Sequence, residues 1–174
     1  SNNGEIMGSY LIKFWIILLF FLIFQDAGCF TITNTLAVTA TVGGGANCTF
    51  GSTTDMKFSN YYSLDSNPDY ATGTVTLTCL PNLAYDIGID KGQGAGATEE
   101  HRLLTKQGGN QQLNYGLFQD GGHQHMYGTV IGQNTLHQIA TGSTEVITIY
   151  GEIPANQAVD AGTYLDRVTI FVTF

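Results

Sequence analysis

A chain of 174 residues is long enough for one domain with a sizeable apolar core, and 43% hydrophobic composition excludes a wholly disordered chain. Only 11% of residues are charged, against about 25% in a typical soluble domain, and Gly, Thr, Asn, Gln and Ser take their place, which favours strands and turns. A formal net charge of -8 excludes the clustered Lys and Arg that nucleic acid or an anionic membrane surface requires.

The chain opens on a leader. Lys13 precedes the unbroken apolar run Phe14 to Phe24, and the small residues Ala27 and Gly28 follow. A basic residue, an apolar run of about 7–15 and a small-residue cleavage site make a secretory signal. The run is too short for a membrane span, which needs about 20 apolar residues. A buried core helix is the weaker reading, since nothing else in the chain reads as helical. Residues 1–28 are therefore assigned as signal peptide, with 1–6 as upstream residues before Met7. Cleavage after Gly28 and after Cys29 both leave small residues near the cut. Ala27-Gly28-Cys29 also has the shape of a lipidation site, from which Asp26 departs.

From Phe30 to Val42 the sequence alternates. Phe30, Ile32, Leu36, Val38, Ala40 and Val42 fall on one side, and threonines fill most of the other. Period-two alternation predicts a half-buried strand, ended by Gly43-Gly44-Gly45. Residues 51–71 read as loop with one short strand at most. Strands are expected at Gly73–Cys79, Ala84–Asp90, His101–Thr105, Leu113–Phe118, Met126–Ile131, Glu145–Ile153 and Thr163–Phe174. Seven or eight short strands without a helix pattern or a repeat point to a β-sandwich. On the last strand, Tyr164, Val168, Ile170, Val172 and Phe174 share one face. Both end strands are long, one-sided and free of Pro, with Asp166 and Arg167 the only charges. Such edges invite pairing with another chain.

Export exposes Cys48 and Cys79 to an oxidising compartment, where a disulfide forms and persists. Closing that 31-residue separation corresponds to about 3.5–4 kcal/mol in the chain-entropy model. A metal pair lacks both C-x-x-C spacing and a neighbouring His. Gly92, Gly94 and Gly96 follow a strand, but the spacing is not a dinucleotide fingerprint and no helix follows, so a flexible loop is expected. Asp86 and Asp90 read as solvated strand carboxylates. His123 and His125, two apart, could begin a metal site; an exposed hairpin tip is the better reading, and no metal ligands are assigned. No nucleophile elbow or paired catalytic carboxylates occur, so no enzyme activity and no cofactor are expected.

The combination of LAVTATVGGGANCTF, GTVTLTC, YDIGIDKGQGAG, LNYGLFQDGGHQHMYG and VITIYGEIPANQAVDAGTYLDRVTIFVTF resembles the spore coat protein U domain, the domain of archaic (Csu-type) chaperone–usher pilus subunits. The resemblance runs from Leu36 to Phe174. It implies an incomplete immunoglobulin-like β-sandwich that lacks its last strand. A periplasmic chaperone lends a strand, the N-terminal segment of the next subunit replaces it, and the fibre grows through an outer-membrane usher.

On that resemblance residues 29–43 are the donor strand, and residues 44–174 are the pilin domain. The donor residues are Phe30, Ile32, Leu36, Val38, Ala40 and Val42. Tyr164, Val168, Ile170, Val172 and Phe174 form the acceptor and chaperone-binding strand. Residues 30–42 are expected to complete a neighbour's domain and not their own. The partners are pilin subunits, the chaperone and the usher. The expected product is a structural subunit of a surface pilus or coat that supports adhesion and biofilm formation. The alternative is a monomeric secreted module binding carbohydrate or a surface through Tyr61-Tyr62 or the His123–His125 tip.

Overall fold

The structure of the chain, a computed structural model, describes residues 36–42 and 47–174. The leader, Cys29, Phe30, Ile32 and the run Gly43–Gly45 lie outside the described residues. Among the described residues nine strands and no helix occur: β1 Leu36–Val42, β2 Cys48–Thr54, β3 Asp69–Cys79, β4 Ala84–Ile89, β5 Arg102–Lys106, β6 Gln112–Phe118, β7 Leu136–Ile139, β8 Thr144–Ile153 and β9 Tyr164–Thr173.

The expected strands at 84–90, 101–105, 113–118, 145–153 and 163–174 fall within a residue or two of β4, β5, β6, β8 and β9. Four details differ. β3 begins at Asp69 because β8 supplies ten consecutive register partners, reaching back to Ile153 opposite Asp69. β2 occupies a stretch expected to be mostly loop; it is a largely exposed edge strand whose polar sequence carries no alternation. Met126 makes one isolated bridge to Phe118, and 127–135 turn away instead of forming a strand. The four residues of β7 then pair with β4.

β2, β3, β8 and β6 form one layer, and β1, β9, β4 and β7 the other. β5 pairs with both β6 and β9, so the ladder runs from layer to layer. Every pairing is antiparallel except β1 with β9.

The inward rows of the two layers share one core. Val75, Leu77, Leu113, Tyr115, Leu117, Ile149 and Ile153 meet Tyr85, Ile87, Ile89, Val168, Ile170 and Val172. This is an all-β sandwich. Cys48 and Cys79 are register partners and form a buried disulfide across β2 and β3. Two residues on, the β2–β3 register slips between Phe50 and Thr53. Gly51 stands in this bulge, where an added Cβ would overlap the Thr76 hydroxyl.

Candidate strand-acceptor edge

β9 organises the second layer. Tyr164, Asp166, Val168, Ile170 and Val172 are buried, whereas Arg167, Phe171 and Thr173 are exposed. On one edge β4 pairs with Ile170–Thr173, and β5 pairs with Tyr164 and Leu165. β1 runs parallel to β9, matching Leu36 with Asp166 through to Val42 with Val172. β1 and β4 both match positions 170–172, so they take opposite edges.

Tyr164, Val168, Ile170 and Val172 therefore point into the domain's own core. What β9 can offer another strand is its outer row of backbone N–H and C=O groups. Phe174 lies past the end of β9 and is exposed, outside the buried row. The expectation that residues 30–42 cannot pair with their own domain differs from the structure, which seats positions 36–42 on this chain's own β9. Only five residues separate β1 from β2. So short a link keeps the segment near this edge at a high effective concentration.

Sequence reasoning missed the polar belt behind β9. Asp166 interrupts the buried apolar row at 7% exposure. Its carboxylate accepts from Tyr115 Oη at 2.6 Å and from the N–H groups of Gln93 and Arg167, each at 2.8 Å. Burial raises the Asp166 carboxyl above its ordinary range, against those three donors. Burial beside Asp166 likewise raises the Tyr115 phenol.

Arg102 is fully buried and donates to four backbone carbonyls, those of Ile89, Asp90, Glu99 and Tyr127, at 2.7–2.9 Å. Burial pulls the guanidinium below its ordinary value, and Glu99, Asp90 and Asp166 act in the other direction. Asp90 is no free solvated carboxylate: it accepts from the N–H groups of Gly92 and Thr169 and ties the end of β4 to β9. Asp86 likewise accepts from Thr135 and pairs with His137.

The glycine-rich stretch is packed against this belt and is not a loose loop. Gly92 has φ +79°, and a Cβ there would overlap the Asp166 carboxylate. The belt fixes the β4–β5 connection, along with the β4 and β5 ends that flank β9.

Of the other expected surface residues, Tyr61 and His123 are engaged within the domain, whereas Tyr62 and His125 stay exposed. Tyr61 is buried, donates to the Pro154 carbonyl and accepts from Gln157 N–H. Asp120 accepts from the N–H groups of Gly122, Gln124 and His125 and pairs with the His125 ring. His123 turns back among Tyr70, Phe118 and Tyr150, with ring centroids 4.7–6.4 Å apart. Among the described residues no group of three His, Cys, Asp or Glu is placed to hold a metal.

The family model of the Spore Coat Protein U domain matches residues 32–171. The chain belongs to the Spore Coat Protein U domain family. That membership makes it a structural domain and not an enzyme. No curated protein matches this Spore Coat Protein U chain.

Among solved structures it is similar to the chaperone–tip adhesion subunit pre-assembly complex CsuC–CsuE of the archaic chaperone–usher Csu pili of Acinetobacter baumannii. The identity is 21% and the TM-score 0.49, over 73% of this chain and 39% of that chain. It is also similar to HdaB, the minor tip subunit of the E. coli Hda pilus. There the identity is 17% and the TM-score 0.41, over 71% of this chain and 78% of that chain.

Proposed function

We propose that this chain is a structural subunit of a chaperone–usher surface pilus or coat, and that its subunits join by strand exchange at β9. On this reading residues 30–42 of one copy pair with the outer edge of β9 in the next. A periplasmic chaperone holds that edge before assembly, and an outer-membrane usher exports the product to the cell surface, where it supports adhesion and biofilm formation. One observation carries the reading. The outer edge of β9 takes its strand from a segment joined to the domain only through residues 43–47. Without that segment, a seven-residue backbone row over Val168, Ile170 and Val172 has no strand partner in this layer. Membership in a coat-protein family and the leader-like residues 13–28 support the reading further.

The test substitutes within the segment. Val38 belongs to its apolar set and Thr39 to the opposite set. Val38→Asp places an unpaired charge where an apolar contact is required. Fibre or polymer yield on cells is expected to be lost in Val38→Asp and largely kept in Thr39→Asp. Equal assembly of the two variants contradicts the proposal.

The alternative, a monomeric binding module, would keep Tyr62, 46% exposed, and the exposed His125 ring as its surface. Tyr61 is internal, His123 is engaged by three rings, and His125 is tied to Asp120.

A further inference from the structure

We infer that the chain's own N-terminal segment is a built-in competitor for the β9 edge, so that the free subunit rests in a self-capped state until a neighbour's segment displaces it. The inference rests on the strand-exchange reading above and adds a regulatory step to it. Seven consecutive residues of β1 are in register with β9, and no position from Asp166 to Val172 is left without a strand partner on that side. The occupied stretch covers Val168, Ile170 and Val172, the part of β9 that strand exchange requires.

The link explains the direction of pairing. Residues 43–47 span six Cα steps from Val42 to Cys48, a reach of at most about 20 Å. Reversing the segment would carry Val42 from the Val172 end of β9 to the Asp166 end, a shift of about 20 Å. That is the whole reach of the link, so the tether favours the parallel sense observed. A segment from another copy carries no such restriction. Parallel pairing is slightly less stable per residue than antiparallel pairing, so the cap is displaceable in principle.

Kinetics and concentration oppose displacement. A strand on a short tether has an effective concentration on the order of millimolar, so free segments at lower concentration compete poorly. Spontaneous polymerisation of the free subunit is therefore slow. Whatever holds the segment away from β9 accelerates assembly.

Thr39 and Thr169 are register partners, and neighbouring strands bring such Cα atoms within disulfide range. The experiment oxidises the exported full chain carrying Thr39→Cys and Thr169→Cys in dilute solution, maps the linked peptides and then follows assembly. The expected result is a monomer with an intrachain 39–169 link that assembles at least about tenfold more slowly than its reduced form. Mild reduction that spares the buried Cys48–Cys79 bond is expected to restore assembly.

If monomers keep free thiols at 39 and 169 and links form only between chains in polymers, self-capping is overturned and strand exchange stands. If no 39–169 link forms within or between chains, both are overturned. Native hydrogen exchange on the unsubstituted monomer serves as the check that needs no variant. β1 has β9 as its one strand partner, so alternate amides of residues 36–42 are expected to be protected, and full exposure of the whole segment overturns the self-capped state.

Discussion

Arg102 and Tyr115 determine whether the floor beneath β9 holds its shape. Arg102 satisfies four carbonyls from three separate segments. Arg102→Met keeps much of the volume but leaves those acceptors buried and unpaired. We expect a loss on the order of 3 kcal/mol or more, read as a lower denaturant midpoint. Tyr115→Phe removes one donor from the Asp166 carboxylate and is expected to cost about 1–3 kcal/mol.

Its pH dependence has a definite sign. Asp166 is raised in the folded state, so folding favours its protonated form. Its contribution to stability falls as pH rises from the ordinary carboxylate value through the higher folded value. Tyr115 opposes that rise, so Tyr115→Phe should steepen the fall in the same window, read from denaturation midpoints across acid pH. Tyr127 provides the contrast. It is fully buried, and its hydroxyl meets no hydrogen-bonding protein group. Tyr127→Phe should leave stability unchanged or raise it by about 1 kcal/mol. None of these three roles was legible in the sequence. A lone Arg in a predicted strand and an Asp in an apolar row look like surface charges until distant segments fold over them.

At the scale of elements, the sequence is legible where one face is buried. β4, β6, β8 and β9 alternate apolar and polar residues because one side of each faces the shared core, and their expected bounds lie within two residues of the observed ones. The pattern fails at the margins of the sheets. β2 is mostly exposed, and β7 is four residues long, so neither has an inward row to read. Met126–Ile131 carries apolar residues yet does not form a strand. Glu99 there accepts from Thr129 and Asn134, and Asn134 accepts from Val130 N–H, so side chains replace the ladder.

The cysteines were legible by a different logic, that of compartment and spacing. The structure adds that they are register partners joining edge strand β2 to β3. Among the described residues β2 has no other strand partner, so replacing both cysteines by Ser should loosen this edge first. The expected cost is about 2–5 kcal/mol, with early hydrogen exchange in 48–54 as the local readout. Uniform loss of protection across all strands would contradict a local role.

For the whole molecule, the tyrosine-rich core dictates behaviour at high pH. Burial and the hydrogen bond to Glu145 push Tyr85 up to about 12, and Tyr115, Tyr127 and Tyr164 are also raised. Unfolded tyrosines release their protons near pH 10, while the folded ones retain them. Above that value the unfolded state binds fewer protons, so stability must fall as pH rises from about 10 towards 12. Tyrosinate absorbance should therefore appear together with loss of β-sheet circular dichroism. Ionisation of Tyr85, Tyr115, Tyr127 and Tyr164 in a fully folded chain would contradict this.

On the proposed reading β9 is a strand acceptor, and the segment that fills it is able to serve another copy. The most direct measurement moves residues 30–42 behind Phe174 through a short flexible linker, so that the segment folds back permanently along the β9 edge. Assembly is then compared with that of the unaltered chain by size-exclusion and electron microscopy. The expected product is a stable monomer that forms no fibres and needs no chaperone for solubility. Fibres formed at the unaltered rate would contradict the proposed reading, as would a chain lacking 30–42 that is equally stable without any added strand.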